Sequence, residues 1–185
     1  MRERFLRQAK REYRPGQRLA LLAVAAVFFV LLLPYLLMVL GPRLDGVLGL
    51  PRLALGTIGL ALGVGMILGG WLLAVWTIYV QFTLGRGTPV PVMATQELVV
   101  EPPFTYCRNP MALGAIILYL GVAVVIGSLS AAGLVLLGAA LLLWYIHRFE
   151  EWEMEQRFGQ AYLDYRRRTP FLIPRFRRLG RQPGR

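Results

Sequence analysis

Cysteine and histidine are almost absent from this chain, which contains one of each, Cys107 and His147. A single cysteine excludes an internal disulfide and any metal site built from several cysteines. A single histidine likewise excludes a histidine-rich zinc or di-iron site. We therefore expect no metal ion at the functional site.

Acidic residues are also scarce, since 10 Asp and Glu stand against 21 Lys and Arg, for a net charge of +11. The distribution of this charge argues against nucleic acid as a partner. Seven basic residues fall within the first eighteen positions, and ten more lie from Arg148 to the C-terminus. The positive-inside rule therefore predicts that both termini are cytoplasmic, and the basic ends favour contacts with anionic membrane lipids.

Charge is missing altogether from three long apolar stretches, 19–40, 53–84 and 111–146. Apolar runs of roughly 18 residues or more are typical of membrane spans. The third stretch is long enough for two spans joined by a turn at 127–130. The first is longer than the apolar core of a signal peptide, about 7–15 residues, and no small-x-small cleavage site follows it. The sequence thus predicts an all-α integral membrane protein with four transmembrane helices.

Four segments follow from this pattern: a basic interfacial segment at 1–18, two transmembrane helices at 19–84, a core with a transmembrane hairpin at 85–176, and a disordered basic tail at 177–185. Glycines of the second span recur at three- and four-residue spacings that permit close helix packing; these are Gly56, Gly59, Gly63, Gly65 and Gly69. With four spans and cytoplasmic termini, the loop at 85–110 is cytoplasmic as well.

That loop ends in Arg108-Asn109-Pro110, directly before the third span. Asn109 can cap a helix, and proline suits the first helical position. The backbone N–H groups of Met111, Ala112 and Leu113 would then lack intrahelical partners. With Arg108 outside them, they predict a site for a carboxylate or phosphate group. The alternative is a capped helix that happens to carry an interfacial arginine.

An acidic cluster follows the fourth span, where Glu150, Glu151, Glu153 and Glu155 occur in a chain that is poor in acids. Glu151 and Glu155 would share one helical face. A carboxylate at the membrane boundary can accept hydrogen bonds from ribose hydroxyls, although a charge run is also typical of a solvated face. His147 is a possible base or an interfacial residue, and Cys107 is either a thiolate activated by Arg108 or a small residue at a helix entrance.

The second half of the chain resembles membrane methyltransferases of the isoprenylcysteine carboxyl methyltransferase and phospholipid methyltransferase type, as a bacterial-type member. Five motifs carry the resemblance in order: Gly-Arg-Gly-Thr-Pro (85–89), Glu-Leu-Val-Val (97–100), Pro-Phe-x-Tyr-x-Arg-Asn-Pro-Met-x-Leu-Gly (103–114), Glu-Glu (150–151), and Phe-Gly-x-x-Tyr-x-x-Tyr (158–165) continuing to Ile-Pro (173–174). The resemblance implies a cytoplasm-facing pocket for S-adenosylmethionine, formed by the last two spans, the loop and an amphipathic C-terminal helix. It also implies the inner membrane of a bacterium or archaeon.

By resemblance, the cofactor-binding residues are Gln96, Glu97, Leu98, Val99, Phe104, Arg108, Asn109, Pro110, Met111, Ala112, Gly114, Glu150 and Glu151. Arg108 would hold the cofactor's carboxylate, and Gly114 would let the ligand approach the backbone. The sequence departs from the family pattern at Pro103, Phe104 and Ala112, where glycine, tyrosine and tyrosine are common. The missing ring at Ala112 opens space near the cofactor or acceptor.

The function that we predict is S-adenosylmethionine-dependent methyl transfer to a lipophilic acceptor: a prenylcysteine-like carboxylate, a phospholipid amine, or a small thiol or carboxylate. The candidate catalytic residues are Glu150 and Glu151, as bases for an amine, and Arg148, which steers an anionic acceptor or marks the membrane boundary. Two alternatives are a sterol-reductase-like oxidoreductase that uses NADPH and a non-catalytic membrane scaffold. The chain lacks extra basic loop residues for a 2′-phosphate, and Ala112 favours the scaffold.

Overall fold

A computed structural model describes residues 15–85 and 96–175, and this part of the chain is helical without strands. The helices are α1 (Pro15–Ala26), α2 (Leu33–Leu48), α3 (Gly56–Thr83), α4 (Pro110–Ile126), α5 (Leu129–Tyr145), α6 (Glu151–Phe158) and α7 (Gln160–Arg168). Two π-helical segments, Val27–Leu32 and Ile146–Glu150, join α1 to α2 and α5 to α6. Most of the N-terminal segment 1–18, the loop motif after Gly85 and the tail 177–185 lie outside the described residues.

Three of these continuous helices are long and apolar enough to cross a membrane: Leu19–Leu48, Gly56–Thr83 and Leu129–Phe158. Helix α4 is shorter, with 17 residues, and at 1.5 Å per residue it spans about 26 Å. That length is at the lower limit for a bilayer of about 30 Å. The all-helical, membrane-type fold is confirmed, while the fourth span stays a prediction.

The first helix continues beyond the predicted end of its span, because Leu33–Leu48 includes most of the connection that was expected to follow position 40. The acidic residue beyond position 40, Asp45, is buried, with 4% of its surface exposed. Its Oδ1 accepts a hydrogen bond of 2.8 Å from the backbone N–H of Ser130. A carboxylate with such a partner can stay inside a helical bundle, which a charge count along the sequence does not reveal.

Proline explains the contact between the first helix and α4. In the first π-helical segment the N–H of Leu33 donates to the carbonyl of Phe28, five residues back. Pro34 has no N–H for the next carbonyl in that ladder, which belongs to Phe29. The hydroxyl of Tyr119 on α4 donates to this carbonyl at 2.7 Å. Tyr119 thus satisfies a backbone acceptor in a segment where no water competes.

Glycine pairs bring α3 and α4 into backbone contact. A Cβ on Gly121 would lie 2.7 Å from the carbonyl oxygen of Gly63, and one on Gly114 would lie 2.8 Å from that of Gly70. The pairs are about two helical turns apart and so share one face. Close packing of the second span is confirmed at Gly63, whereas Gly65 and Gly69 have open space beside them.

The topology gathers one set of helix ends. The C-terminus of α3, the N-terminus of α4 and the junction of α5 with α6 lie at the same end of the bundle, as do loop residues 96–109. The turn between α4 and α5 lies at the opposite end, where the N–H of Leu53 donates to the carbonyl of Gly127 at 2.9 Å. The loop at 96–109 therefore lies near the acidic helix α6.

Candidate functional site

The acidic residues after α5 begin at the end of a π-helical segment, Ile146–Glu150, and differ in their exposure. Such a segment has a wider turn than an α-helix and frequently occurs at functional sites. Glu151 and Glu153 are buried, at 4% and 5% exposure, while Glu150 is exposed. The two adjacent glutamates therefore occupy different environments, and only Glu151 lies inside the bundle.

Glu151 is the centre of an ion-pair network. Its Oε1 lies 2.8 Å from Nη2 of Arg108, and its Oε2 lies 3.1 Å from Nδ1 of His147 and 3.5 Å from Nη2 of Arg166. The loop, the π-helical segment and α7 each contribute one of these nitrogens. A buried carboxylate with such partners holds the three elements together.

Arg108 has hydrogen-bond donors that this network does not use. Its side chain is 10% exposed, and Nη2 is the atom that approaches Glu151. Its Nε and Nη1 are buried and have no hydrogen-bond partner among the described residues. Buried donors without partners cost about 1–3 kcal/mol. The structure thus presents a desolvated cation with unfilled donors, which fits an anionic group of a ligand.

The start of α4 differs from the prediction at two residues. No side chain caps the helix, so the expected capping by Asn109 is wrong. The amide Nδ2 of Asn109 donates to the carbonyl of Phe171 at 2.9 Å, which ties this side chain to the segment after α7. The N–H of Leu113 donates to the carbonyl of Asn109 at 3.1 Å, so this group is not available to a ligand either.

The segment after α7 covers the loop. The carbonyl of Pro170 accepts a hydrogen bond of 2.9 Å from the backbone N–H of Arg108, and the backbone N–H of Arg175 donates to the carbonyl of Tyr106 at 3.0 Å. The ring of Phe171 lies 5.5 Å from the guanidinium carbon of Arg108. The guanidinium is therefore enclosed by Glu151 on one side and by an aromatic ring on another.

Helix α7 packs on the loop through its tyrosines. Gly159, at φ +53°, separates α6 from α7 in a backbone conformation that suits glycine. Tyr162 is 3% exposed, and the hydroxyl of Tyr165 donates to the carbonyl of Phe104 at 2.8 Å. Burial, and secondarily the charge of Glu151, raises the pKa of Tyr162 to about 12. Burial also raises the pKa of Tyr165.

Cys107 is not an activated thiolate. Its side chain is 1% exposed, and burial raises the pKa of the thiol although Arg108 follows it in the chain. A protonated, inaccessible thiol is a poor nucleophile. Of the two interpretations of this residue, the structure supports the small buried residue at a helix entrance.

Several predicted site residues lie elsewhere or have another visible role. Arg148 is exposed, as is Glu150. Gly114 contacts the backbone of Gly70, so the close approach that its missing side chain permits is that of a helix. Phe104 is 8% exposed and belongs to the interior. Their roles toward a cofactor stay predictions.

The remaining candidates lie along the loop and the start of α4. The N–H of Gln96 donates to the carbonyl of Gly85 at 2.7 Å, which anchors the loop beside the end of α3. Glu97 is exposed, while Leu98 and Val99 are half-buried. Pro110 and Ala112 are buried in α4, and Met111 between them is half-buried. Within the described residues, Arg108 and Glu151 are the predicted site residues that an ion pair joins.

Sequence reasoning missed Arg166 and Phe171. Arg166 belongs to a run of three arginines that reads as an interfacial cationic patch, yet its side chain is 37% exposed and lies 3.5 Å from Glu151. Phe171 precedes a proline-containing end in which nothing marks a ligand site. Arg166 lies 15 positions from Glu151 and Phe171 lies 63 positions from Arg108, and one sequence carries no signal for such contacts.

These features define an integral membrane protein built from apolar helices, with a buried ion-pair network at one end of the bundle. The chain belongs to the phospholipid methyltransferase family, whose model matches residues 58–161, more than half of its length. No curated protein and no solved structure matches the chain. Family membership indicates a membrane methyltransferase, and all of α7 after its first two residues, with the segment that follows it, lies beyond the matched residues.

Proposed function

We propose that this protein transfers a methyl group from S-adenosylmethionine to a lipophilic acceptor at the cytoplasmic face of the membrane. The observation that carries the proposal is Arg108, whose Nε and Nη1 are buried without a hydrogen-bond partner in the described part of the chain. A methionine carboxylate matches these donors in charge and in hydrogen-bonding capacity. The N-terminus of α4, which no side chain caps, adds favourable potential for the same group.

Arg108 would bind the carboxylate, and Glu151 would hold Arg108 in place while balancing its charge. Glu151 also lies within ion-pair distance of His147 and Arg166. Both of its oxygens are buried without a hydrogen-bond partner in the described part of the chain, so they would remain available to the ribose hydroxyls. When bound, S-adenosylmethionine supplies a methyl group on a sulfonium, which a nucleophile can accept in line. The protein's own residues would align the acceptor with this methyl group and exclude water from the site.

The remaining predicted residues complete this proposal. Gln96, Glu97, Leu98 and Val99 would line the loop side, with Phe104, Met111 and Ala112 near the adenosine and Pro110 fixing the helix start. Glu150 is the exposed carboxylate and is the better base of the pair for an amine acceptor, whereas a carboxylate or thiolate acceptor needs none. Arg148 would mark the membrane boundary beside it.

The orientation in the membrane is part of the proposal. Four spans would place both termini, the loop and α7 on one side, and the basic residues of the chain favour the cytoplasm. The structure supports this arrangement because α4 begins, and α5 ends, beside the loop. The acceptor would enter from the bilayer while the soluble cofactor would enter from the cytosol, in the inner membrane of a bacterium or archaeon.

Binding of S-adenosylhomocysteine and of NADPH, measured by calorimetry on the purified protein in detergent, tests this function. We expect the first ligand to bind and the second not to bind. NADPH binding alone would support the reductase alternative, and binding of neither would support the scaffold.

Arg108→Ala is the decisive variant, since loss of a charge-assisted hydrogen bond of about 1.5–3 kcal/mol weakens affinity for S-adenosylhomocysteine by about 10- to 150-fold. Arg167→Ala is its matched control, because Arg167 lies on α7 with a side chain that is 75% exposed. Equal affinities in these two variants would show that Arg108 does not bind the carboxylate. Thermal unfolding of both variants identifies any loss that is due to misfolding.

A further inference from the structure

The segment after α7, residues 169–175, is bonded to the loop before α4 along its length. We name it the C-terminal strap. Its backbone accepts from the N–H of Arg108 at Pro170 and from Nδ2 of Asn109 at Phe171, and its Arg175 donates to the carbonyl of Tyr106. All three distances are between 2.9 and 3.0 Å. These bonds fix the strap to the residues that carry the anion site.

Within the strap, the ring of Phe171 lies close to two of the residues around Glu151, Arg108 and His147. Its ring centroid is 5.5 Å from the guanidinium carbon of Arg108 and 5.7 Å from the imidazole of His147, which it meets edge-on. A ring beside a guanidinium attracts the cation through its π face and keeps water away from it. The phenyl ring carries no lone-pair acceptor, and Nε and Nη1 of Arg108 keep their donors without a partner among the described residues.

Asn109 fixes the position of the strap relative to the start of α4. Its amide leaves the helix end of α4 without a side-chain cap and bonds to the carbonyl of Phe171 instead. An asparagine at this position commonly satisfies the helix's own N–H groups. Here the same side chain positions the residue whose ring covers Arg108, and the helix end stays available.

We propose that the C-terminal strap is a wall of the ligand pocket and that Phe171 is a positioning residue that acts through Arg108. By covering the guanidinium, Phe171 holds it over the pocket and keeps it poorly hydrated, so that the site selects ligands with a carboxylate. This inference rests on the proposed function and adds the part of the ligand that the strap recognises: the amino-acid end of an adenosine thioether.

The test compares two ligands that differ in the carboxylate alone, S-adenosylhomocysteine and its decarboxylated form, with calorimetry on the full chain in detergent. In Phe171→Ala we expect affinity for S-adenosylhomocysteine to fall about tenfold, the size of a desolvated cation–π contact. Affinity for the decarboxylated ligand should change by less than about twofold. The control is Ile173→Ala, in the same strap but 78% exposed, which should leave both affinities unchanged.

A structural role alone would weaken both ligands together, and that result would overturn the inference. Phe171→Leu separates packing from ring chemistry if the alanine variant does not fold, because it preserves most of the volume without the π face. In the double variant Arg108→Ala/Phe171→Ala, the losses should not add; additive losses would count against coupling through Arg108. A wild-type protein that does not bind S-adenosylhomocysteine would refute the proposed function itself, whereas normal binding by Phe171→Ala would refute this inference only.

Discussion

Helices α4 and α5 are both apolar and both have 17 residues, but they begin in different ways. At α5 the hydroxyl of Ser128 accepts from the N–H of Ala131 at 3.0 Å, and Asp45 accepts from the N–H of Ser130. At α4 no side chain caps the helix, and an arginine lies beside it. The start of α5 is therefore a closed end, satisfied by the protein's own acceptors, and the start of α4 is an open end without a side-chain cap. Under the proposed function, the open end is the one that an anionic group of the ligand would approach.

The largest effect is expected from a change in the packing of α3 against α4, close to the open end. In Gly70→Ala the new Cβ would lie against the carbonyl of Gly114 and 2.6 Å from the backbone nitrogen of Leu118. Backbone atoms cannot yield as a flexible side chain can, so we expect destabilisation of about 3 kcal/mol together with loss of ligand binding. Thermal unfolding in detergent measures the first effect and calorimetry the second.

Gly69→Ala provides the matched control, because open space surrounds the neighbouring glycine. Alanine is the better helix former by about 1 kcal/mol. We therefore expect this variant to be as stable as the wild type or slightly more stable. If the two variants unfold at the same temperature, the glycine pair Gly70–Gly114 does not hold α3 against α4.

Alkaline pH should destabilise the packing of α7 over the loop at the open end before it affects the closed end. Tyr162, on the helix that covers the loop, has a pKa of about 12 in the folded protein against about 10 in an unfolded chain. Because the folded state holds the phenolic proton more tightly, this stabilisation is complete below pH 10 and is lost as pH rises from about 10 to about 12. The loss is on the order of 2 kcal/mol.

Unfolding in detergent as a function of pH measures this effect. Tyr162→Phe should unfold with a shallower decline between about pH 10 and 12, and Tyr165 adds a loss of the same sign. Tyr79→Phe is the control, since Tyr79 is 66% exposed. A decline in Tyr162→Phe as steep as in the wild type would mean that the buried phenol does not stabilise the cover over the loop.

Removing the acceptor at the closed end should have a smaller and purely structural effect. Asp45→Ala deprives the N–H of Ser130 of its acceptor, and loss of a capping residue costs about 1 kcal/mol. Asp45→Asn keeps an oxygen that can accept the same bond and should recover much of the stability. Affinity for S-adenosylhomocysteine should be unchanged in both variants, and a large loss of affinity would show that the two ends are not independent.

These same residues show how much of the fold and of the candidate site can be predicted from the sequence. The apolar runs predict the helices, Pro110 marks the first residue of α4, and Arg108 is correctly singled out as the cation beside it. The sequence does not show which of the adjacent Glu150 and Glu151 faces the bundle, because the partners of Glu151 lie far away in the chain. Asn109 misleads for a related reason: its side chain suits a cap, but its Nδ2 bonds to the distant carbonyl of Phe171.

Asn109→Asp is the mildest way to change the open end into a closed one. A carboxylate is a strong acceptor for helix N–H groups, and it cannot donate to the carbonyl of Phe171 as Nδ2 does. The variant should thus cap α4 and release the strap at once. We expect stability close to that of the wild type, since the gain at the helix offsets one lost hydrogen bond, and affinity for S-adenosylhomocysteine that is lower by about three- to tenfold. Asn109→Ala loses the strap bond without adding an acceptor or a charge, so it should bind better than Asn109→Asp. If Asn109→Asp binds as tightly as the wild type, an uncapped start of α4 is not required for the ligand, and Arg108 alone distinguishes the two helix ends.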